Sequence, residues 1–236
     1  MGISVPDSRW HLFLGGTFDP VHFGHLRSAL EVGERFFVEE VYLMPCHDPV
    51  HGKIPGATAL QRVEMLERAV CTQAGERRMA RPLIRIDRRE VQREGESYMV
   101  DTLIELRKEK GASCALGLLM GEDSLISFRT WRRWKEILSL SNLIVFHRPG
   151  WSREEAFDVL NAFSALGVGT VSVPASAMEP IPHHPCGHLY ITETSQVSVS
   201  SSQIRRLLGN QRSARYLLPD SVLEYIRSHE LYGVKD

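Results

Sequence analysis

Paired cysteines and an excess of charge are both missing from this sequence, and each absence excludes a class of protein. The four cysteines, Cys46, Cys71, Cys114 and Cys186, are widely spaced and form no Cys-x-x-Cys pair. This pattern is unlike a disulfide scaffold or a zinc ribbon, and it fits reduced thiols. Lys and Arg total 28 against 29 Asp and Glu, a formal net charge of -1. A nucleic-acid partner is therefore not expected, since such proteins usually carry a basic excess.

Long apolar runs are also missing. No segment approaches the ~20 apolar residues of a membrane span, and the run at 12–14 near the N-terminus is too short for the core of a signal peptide. Gly2 does not begin a myristoylation motif, because Pro6 stands where Ser or Thr is needed. We therefore expect a cytoplasmic protein with no membrane partner.

The chain instead alternates apolar strands with amphipathic helices. Strands are predicted at 11–14, 41–44, 84–86, 115–120, 143–146, 170–173 and 189–192, and helices at 26–37, 58–70, 97–110, 151–165 and in the C-terminal segment. Such βα units predict an α/β fold, a Rossmann-like doubly wound parallel sheet with helices on both faces and ligands at the carboxyl ends of the strands. We expect one domain over 1–236, with an α/β core over about 11–195 and a C-terminal helical segment over about 198–236.

A glycine-rich turn between the first strand and the first helix carries two histidines. It reads Gly-Gly-Thr-Phe-Asp-Pro-Val-His-Phe-Gly-His over residues 15–25. The first turn of a helix presents unpaired N–H groups and the positive end of its dipole, and both attract phosphate. His22 and His25 share a helix face and can donate to the same anion, and the glycines permit close approach of the backbone. The segment predicts a phosphate-binding loop.

A second segment, Val-Ser-Ser-Ser-Gln-Ile-Arg over 199–205, places three hydroxyls at the start of a helix. Serine is a strong N-cap, and the remaining first-turn amides stay available to an anion. Arg205 follows Ser202 by three residues and Ser201 by four, so its guanidinium can lie over the same helix end. Taken alone, this pattern is more typical of a capped helix with an exposed arginine. Paired with the glycine-rich turn, it predicts a second anion contact.

The two segments resemble the signature of the nucleotidyltransferase superfamily, the first its His-x-Gly-His loop and the second its Ile-Ser-Ser-Thr-x-Ile-Arg element. Nearly the whole chain resembles the nicotinate-nucleotide adenylyltransferase branch, through Ser-Tyr at 97–98, Asp-Thr-Leu at 101–103, Gly-Glu-Asp-Ser-Leu at 121–125, Thr-Trp at 130–131, Arg-Pro-Gly at 148–150 and Leu-Leu-Pro at 217–219. The resemblance implies an enzyme of NAD biosynthesis that transfers the adenylyl group of ATP to nicotinate mononucleotide and releases pyrophosphate.

The resemblance also implies the residues of the site. Catalytic roles would fall to His22, His25 and Arg205. ATP would contact these three together with Gly15, Gly16, Thr17, Phe18, Gly121, Asp123, Ser201 and Ser202. Nicotinate mononucleotide would contact His51, Lys53, Tyr98, Met99, Thr102, Trp131 and Arg132, with the pyridine ring stacked on Trp131. Backbone amides at 99 and 132 would face its carboxylate, and Met99 stands where the family usually has Thr.

Mg²⁺ is the expected cofactor, held mainly by the ATP phosphates, so no dedicated protein metal site is expected. Asp19 and Asp123 are candidates for indirect contact with the metal or a ribose, and bracing of the loop is an equal alternative for Asp19. A cluster of His183, His184, Cys186 and His188 could bind a metal, but its prolines favour a stiff exposed linker.

Two other functions stay open. One is a related adenylyl- or cytidylyltransferase acting on another phosphorylated acceptor, such as phosphopantetheine. The other is a nucleotide-binding regulator without turnover, although sensing ATP does not require groups that stabilise a departing pyrophosphate. The oligomeric state is also open, a homo-oligomer included.

Overall fold

The computed structural model describes residues 10–50, 54–71, 83–147, 153–174, 176, 181–195 and 197–234. Within these ranges seven strands form one parallel sheet, in the order β3-β2-β1-β4-β5-β7-β6. The strands are β1 (Trp10–Gly16), β2 (Glu40–Pro45), β3 (Leu83–Ile86), β4 (Ala115–Gly121), β5 (Asn142–His147), β6 (Gly169–Val173) and β7 (His188–Glu193). This confirms the predicted doubly wound α/β architecture.

Helices connect these strands. They are α1 (Phe23–Arg35), α2 (Ala59–Cys71), α3 (Arg89–Gln92), α4 (Met99–Lys110), α5 (Glu122–Ser127), α6 (Trp134–Leu140), α7 (Phe157–Ala165), α8 (Ser201–Gly209) and α9 (Asp220–Ser228). Short 3-10 turns occupy Phe128–Thr130, Arg153–Ala156 and Leu231–Gly233. None of the helices in the described ranges is long and apolar enough to cross a membrane.

Two apolar layers cover the two faces of the sheet. Successive side chains of a strand point to opposite faces, so Leu12 and Leu14 of β1 belong to one layer and Phe13 to the other. The first layer takes side chains from α1, α2, α8 and α9, and the second takes them from α4, α6 and α7. The C-terminal helices therefore pack on the same face as the helix that follows the glycine-rich turn.

The strand order places the site. β1 pairs with β2 on one side and with β4 on the other. Strands β2 and β3 are added outward on one side of β1, and β4 to β7 lie on its other side, so the order of addition switches between β1 and β4. In open parallel sheets, ligands bind in the crevice outside the carboxyl ends of the strands at such a switch point. Here those ends are Gly16 and Gly121.

Several local expectations need correction. The helix expected over 97–110 begins at Met99, and the one expected over 151–165 is α7, preceded by the 3-10 turn at Arg153–Ala156. Helices α3, α5 and α6 were not predicted, since 4 to 7 residues are too few for a clear helical period. On α2 the apolar residue Leu60 is 75% exposed, whereas Arg62 is 1% exposed.

Candidate active site

A cavity of about 730 Å³ opens at the carboxyl ends of β1 and β4. Its walls come from the turn after β1, the start of α1, the residues after β4, the start of α4 and the start of α8. The predicted site residues among its lining are Gly15, Gly16, Thr17, His22, His25, Tyr98, Met99, Gly121, Asp123, Trp131, Arg132 and Ser201. The fold therefore brings the two phosphate motifs and the predicted pyridine-binding residues to one cavity.

Other predicted residues lie away from the lining. Phe18 is buried, and its ring meets His25 edge-on with 5.0 Å between centroids. Thr102 is fully buried, and its hydroxyl donates to Glu90 Oε1 at 2.6 Å. Ser202 and Arg205 stand beside the cavity on α8 rather than in its wall. His51 and Lys53 are outside the described residues, so their predicted contacts stay predictions.

The two histidines form a closely packed pair at the start of α1. Their rings stack with 3.7 Å between centroids, and the backbone N–H of His22 donates to His25 Nδ1 at 3.3 Å. Because Nδ1 of His25 accepts this bond, the neutral ring carries its proton on Nε2. Burial, and then the neighbouring His22, hold the pKa of His25 well below its ordinary value. In the free protein His25 is thus a neutral ring whose Nε2–H is available as a donor.

The two motifs also contact each other directly. Ser201 Oγ donates to the carbonyl of Pro20 at 2.9 Å. A Cβ placed on Gly24 would come within 3.0 Å of His22 Nδ1 and 3.1 Å of Val199 Cγ1. The glycine between the histidines therefore allows the segment before α8 to pack against the start of α1.

Arg205 is held at the edge of this contact. Its Nη1 donates to the carbonyl of Asp19 at 2.6 Å and lies 3.5 Å from Asp19 Oδ2, while Nη2 donates to Ser202 Oγ at 3.3 Å. The N-cap of α8 is Ser200, whose hydroxyl accepts from the N–H of Gln203 at 3.2 Å. Arg205 is therefore paired with Asp19.

The Asp19 carboxylate braces separate segments of the chain. It is 3% exposed, and it accepts from the N–H groups of Gly56 at 2.8 Å and Ala57 at 3.1 Å and from the hydroxyl of Tyr232 at 2.7 Å. With Arg205 beside it, these donors engage both oxygens. Of the two roles considered for Asp19, the geometry favours bracing of the loop over contact with a metal or ribose.

The other end of the cavity is aromatic and rich in backbone donors. Tyr98 is the N-cap of α4 and Met99 is its first residue, so the amides of Met99 and Val100 have no carbonyl of a preceding helical turn to bond, while the amide of Asp101 donates to the carbonyl of Tyr98 at 3.1 Å. The guanidinium of Arg132 lies over the ring of Tyr98 at 4.3 Å from its centroid. A Cβ on Gly15 would come within 2.7 Å of Met99 Cε, so this glycine gives the Met99 side chain room beside the turn.

The sequence of this chain matches known proteins over most of its length. Residues 13–207 match the cytidylyltransferase-like family. A protein of Hahella chejuensis named "Probable nicotinate-nucleotide adenylyltransferase" is 44% identical over 226 residues, which cover 94% of this chain and 95% of that protein. A protein of Methylococcus capsulatus with the same name is 40% identical over 219 residues, covering 93% and 97%. The chain belongs to the nicotinate-nucleotide adenylyltransferase family.

Solved structures show the same fold. Nicotinic acid mononucleotide adenylyltransferase of Plasmodium falciparum, complexed with NaAD, superposes with a TM-score of 0.70 at 15% identity and covers 96% of this chain and 98% of its own. The same enzyme complexed with APC gives a TM-score of 0.67. At this identity the likeness establishes the fold alone.

Two charged residues at or beside the cavity, Glu90 and Arg62, are absent from the set predicted from the sequence. Glu90 lines the cavity from α3 while it is 3% exposed, and burial raises the pKa of its carboxyl. Arg62 lies behind the turn after β1. The sequence around these two residues does not distinguish them from charged residues exposed on a helix surface, because their hydrogen-bond partners lie in other segments of the chain.

The His183 to His188 cluster lies outside the site. The rings of His184 and His188 stack with 3.7 Å between centroids, and His188 Nδ1 is 3.2 Å from the carbonyl oxygen of Cys186. Across the ranges that the structure covers, no group of three or more His, Cys, Asp and Glu side chains is placed to hold a metal ion.

Proposed function

We propose that this protein transfers the adenylyl group of ATP to nicotinate mononucleotide, giving nicotinate adenine dinucleotide and pyrophosphate in NAD biosynthesis. The observation that carries the proposal is that one cavity is lined both by the histidine pair with Ser201 and by Trp131 with Tyr98. Relatives about 40% identical over nearly the whole chain are named for this reaction. They do not favour phosphopantetheine or another phosphorylated acceptor.

The reaction needs no nucleophile from the protein. A phosphate monoester has a second pKa near ~6, so the acceptor phosphate is already largely dianionic at neutral pH. One of its oxygens attacks the α-phosphorus of ATP, a new P–O bond forms, and the bond to the β-phosphate oxygen breaks as pyrophosphate leaves. The barrier lies in bringing two anions together and spreading charge, so the protein supplies alignment and donors.

The histidine pair is assigned to the phosphate oxygens at the reacting centre. The Nε2–H of His25 donates to the α-phosphate and strengthens this bond as charge develops in the transition state. The glycines at 15 and 16 let the backbone approach the phosphates. We assign Arg205, with Ser201 and Ser202, to the β- and γ-phosphates. Its side chain is 33% exposed and follows Ser201, which lines the cavity, by one helical turn, so a change of partner from Asp19 to phosphate would be local.

Mg²⁺ is proposed to enter with ATP and to be held mainly through the phosphates. The donor set fits this arrangement, since the Asp19 carboxylate is engaged and Asp123 is exposed at the cavity wall, where it can accept from a metal-bound water. When bound, Mg²⁺ would neutralise charge on the triphosphate.

The acceptor end is proposed to recognise the acid form of the nucleotide. Trp131 would stack on the pyridine ring, and the amides of Met99 and Arg132 would donate to its carboxylate. Tyr98 would form part of the same wall, with Arg132 stacked on it. Thr102 is proposed to act indirectly, by holding Glu90 through its hydroxyl.

A release assay for pyrophosphate tests the function. ATP and CTP would each be offered with nicotinate mononucleotide, its amide analogue and phosphopantetheine, and the product would be identified by mass. We expect the highest kcat/KM for ATP with nicotinate mononucleotide. Binding of ATP without pyrophosphate release would instead favour the regulator, and a preference for phosphopantetheine would favour the related transferase.

A further inference from the structure

One of the largest fully buried side chains of this protein is a cation. Arg62 of α2 is 1% exposed. Its Nη1 donates to the carbonyl of Thr17 at 2.8 Å, and its Nη2 donates to the carbonyl of His47 at 2.7 Å. Arg62 therefore ties the turn after β1 to the segment after β2. Its Nε has no partner among the described residues.

Among the described residues, no carboxylate forms a direct ion pair with this guanidinium. Within the described part of the chain, no Asp or Glu oxygen lies within 4.0 Å of the Arg62 guanidinium. The Asp19 carboxylate already has Arg205 at 3.5 Å as its own cation. Burial raises the pKa of the Glu90 carboxyl, which favours its neutral form. A buried charge whose hydrogen bonds go to neutral acceptors is costly, because carbonyl groups and a thiol replace its hydration without neutralising it.

The charge lies directly behind the wall of the cavity. Thr17, whose carbonyl accepts from Arg62, lines the cavity, and so does Cys46, whose Sγ is 3.9 Å from Arg62 Nη1. The Arg62 charge also acts on this wall of the cavity. Burial raises the pKa of the Cys46 thiol, and the positive charge of Arg62 opposes this rise. The guanidinium is thus one residue layer away from the turn that carries the phosphate motif.

We infer that Arg62 is a positioning residue whose buried charge lies beneath the phosphate-binding part of the cavity, where it fixes the Thr17 backbone and attracts substrate phosphates without touching them. The inference rests on the proposed function for the identity of these phosphates. The substrate phosphates would then place further negative charge in front of Arg62.

The dependence of binding affinity on ligand charge distinguishes an electrostatic role of Arg62 from a role in packing alone. A unit charge acting over one layer of protein, at an effective dielectric constant of about 20, changes the affinity of a phosphate ligand by roughly tenfold or more. A neutral ligand in the same cavity feels almost none of this attraction. The effect of Arg62 should therefore grow from adenosine through AMP and ADP to ATP.

The test measures dissociation constants for these four ligands by isothermal titration calorimetry at one low ionic strength. Arg62→Gln removes the charge and keeps a donor for one carbonyl, whereas Arg62→Lys keeps the charge and loses the planar fork. Arg68→Gln is the matched control. It removes a cation from the same helix, where the Arg68 side chain is 45% exposed and pairs with Glu64 at 2.9 Å.

We expect Arg62→Gln to weaken ATP binding about tenfold or more while adenosine changes by less than about twofold. Arg62→Lys should retain most of the dependence on ligand charge, and Arg68→Gln should behave as wild type. Equal losses for adenosine and ATP in Arg62→Gln, or no loss for ATP, would overturn the inference. If circular dichroism shows that Arg62→Gln does not fold, Arg62→Lys provides the test. This variant keeps the charge, so loss of the dependence of affinity on ligand charge in Arg62→Lys would also overturn the inference. The proposed function is tested separately, because pyrophosphate release by the wild-type protein does not depend on this outcome.

Discussion

The hydroxyl of Tyr232 makes a hydrogen bond whose contribution to stability can be calculated and measured. It donates to Asp19 Oδ1 at 2.7 Å, and burial together with Asp19 raises the pKa of Tyr232, so it remains a donor at any working pH. Tyr232→Phe leaves this carboxylate oxygen one donor short. Hydrogen bonds to charged groups contribute about 1.5–3 kcal/mol. Asp19 keeps its two backbone donors and Arg205, so we expect a loss near the lower end, about 1.5–2 kcal/mol.

The assay is equilibrium unfolding in urea, followed by circular dichroism, with the free energy of unfolding compared between variants. Tyr216→Phe is the control, since the Tyr216 side chain is 82% exposed. For a chain of this size the expected loss lowers Tm by roughly 3–8 °C. A change in Tyr232→Phe no larger than that in Tyr216→Phe would refute the reasoning.

A double-mutant cycle tests whether Tyr232 acts through Asp19. Asp19→Asn removes a buried, paired charge and should cost about 3–5 kcal/mol. The double variant should lose about 1 kcal/mol less than the sum of the two single losses, because the uncharged amide oxygen of Asp19→Asn accepts a weaker bond from Tyr232 than the carboxylate does. Strict additivity would show that Tyr232 stabilises the protein through its ring alone, which packs where a Cβ on Gly56 would come within 2.8 Å of it.

The remaining predictions concern the reaction and the response to pH. His25→Ala should lower kcat by roughly 10²-fold with a modest change in the KM for ATP, because its donor is used mainly in the transition state; near-normal turnover would remove it from the mechanism. Arg205→Lys should lower kcat/KM substantially through loss of the planar guanidinium, whereas the control Arg206→Ala should leave kcat/KM nearly unchanged. Equal small losses in both variants would mean that neither arginine contacts the substrate. Nicotinate mononucleotide should be preferred over its amide by about 1–3 kcal/mol in kcat/KM, because an amide NH₂ would face a backbone donor beside Trp131; equal values would contradict this assignment. Burial, and then Lys110 nearby, lower the pKa of His11 from 6.5 to about 4. The free energy of unfolding should therefore decline as pH falls from about 6.5 to about 4, by up to about 3 kcal/mol, and urea titrations of His11→Phe should lack this decline.

Most of the fold could be predicted because buried parallel strands are short, nearly continuous apolar runs. The seven predicted strands all appear, with ends shifted by at most two residues. The short helices could not be predicted in this way. α3 has four residues and α5 six, fewer than two turns, so no face repeats often enough to stand out from a loop.

The candidate site was predictable where its residues are neighbours along the chain. His22 and His25 lie together because one helix turn places them so, and the serines at 200–202 lie at a helix start because serine caps helices. Arg62 shows where such reasoning ends. On an amphipathic helix such as α2, an apolar residue like Leu60 is expected on the buried face, yet the backbone carbonyls of Thr17 and His47 make Arg62 the buried residue. These acceptors come from two other loops, and no pattern within the helix contains them.

Asp19 shows why a motif predicts the location of chemistry better than the task of each residue. The phosphate motif places this aspartate in the turn after β1, where contact with a metal or ribose is a reasonable expectation. Its actual environment depends on donors from Gly56, Ala57 and Tyr232, the last of them near the C-terminus. Three donors and a guanidinium satisfy the carboxylate, so the turn is braced by the far end of the chain. A carboxylate with so many partners holds the turn after β1 in place, and only the tertiary structure reveals that these partners exist.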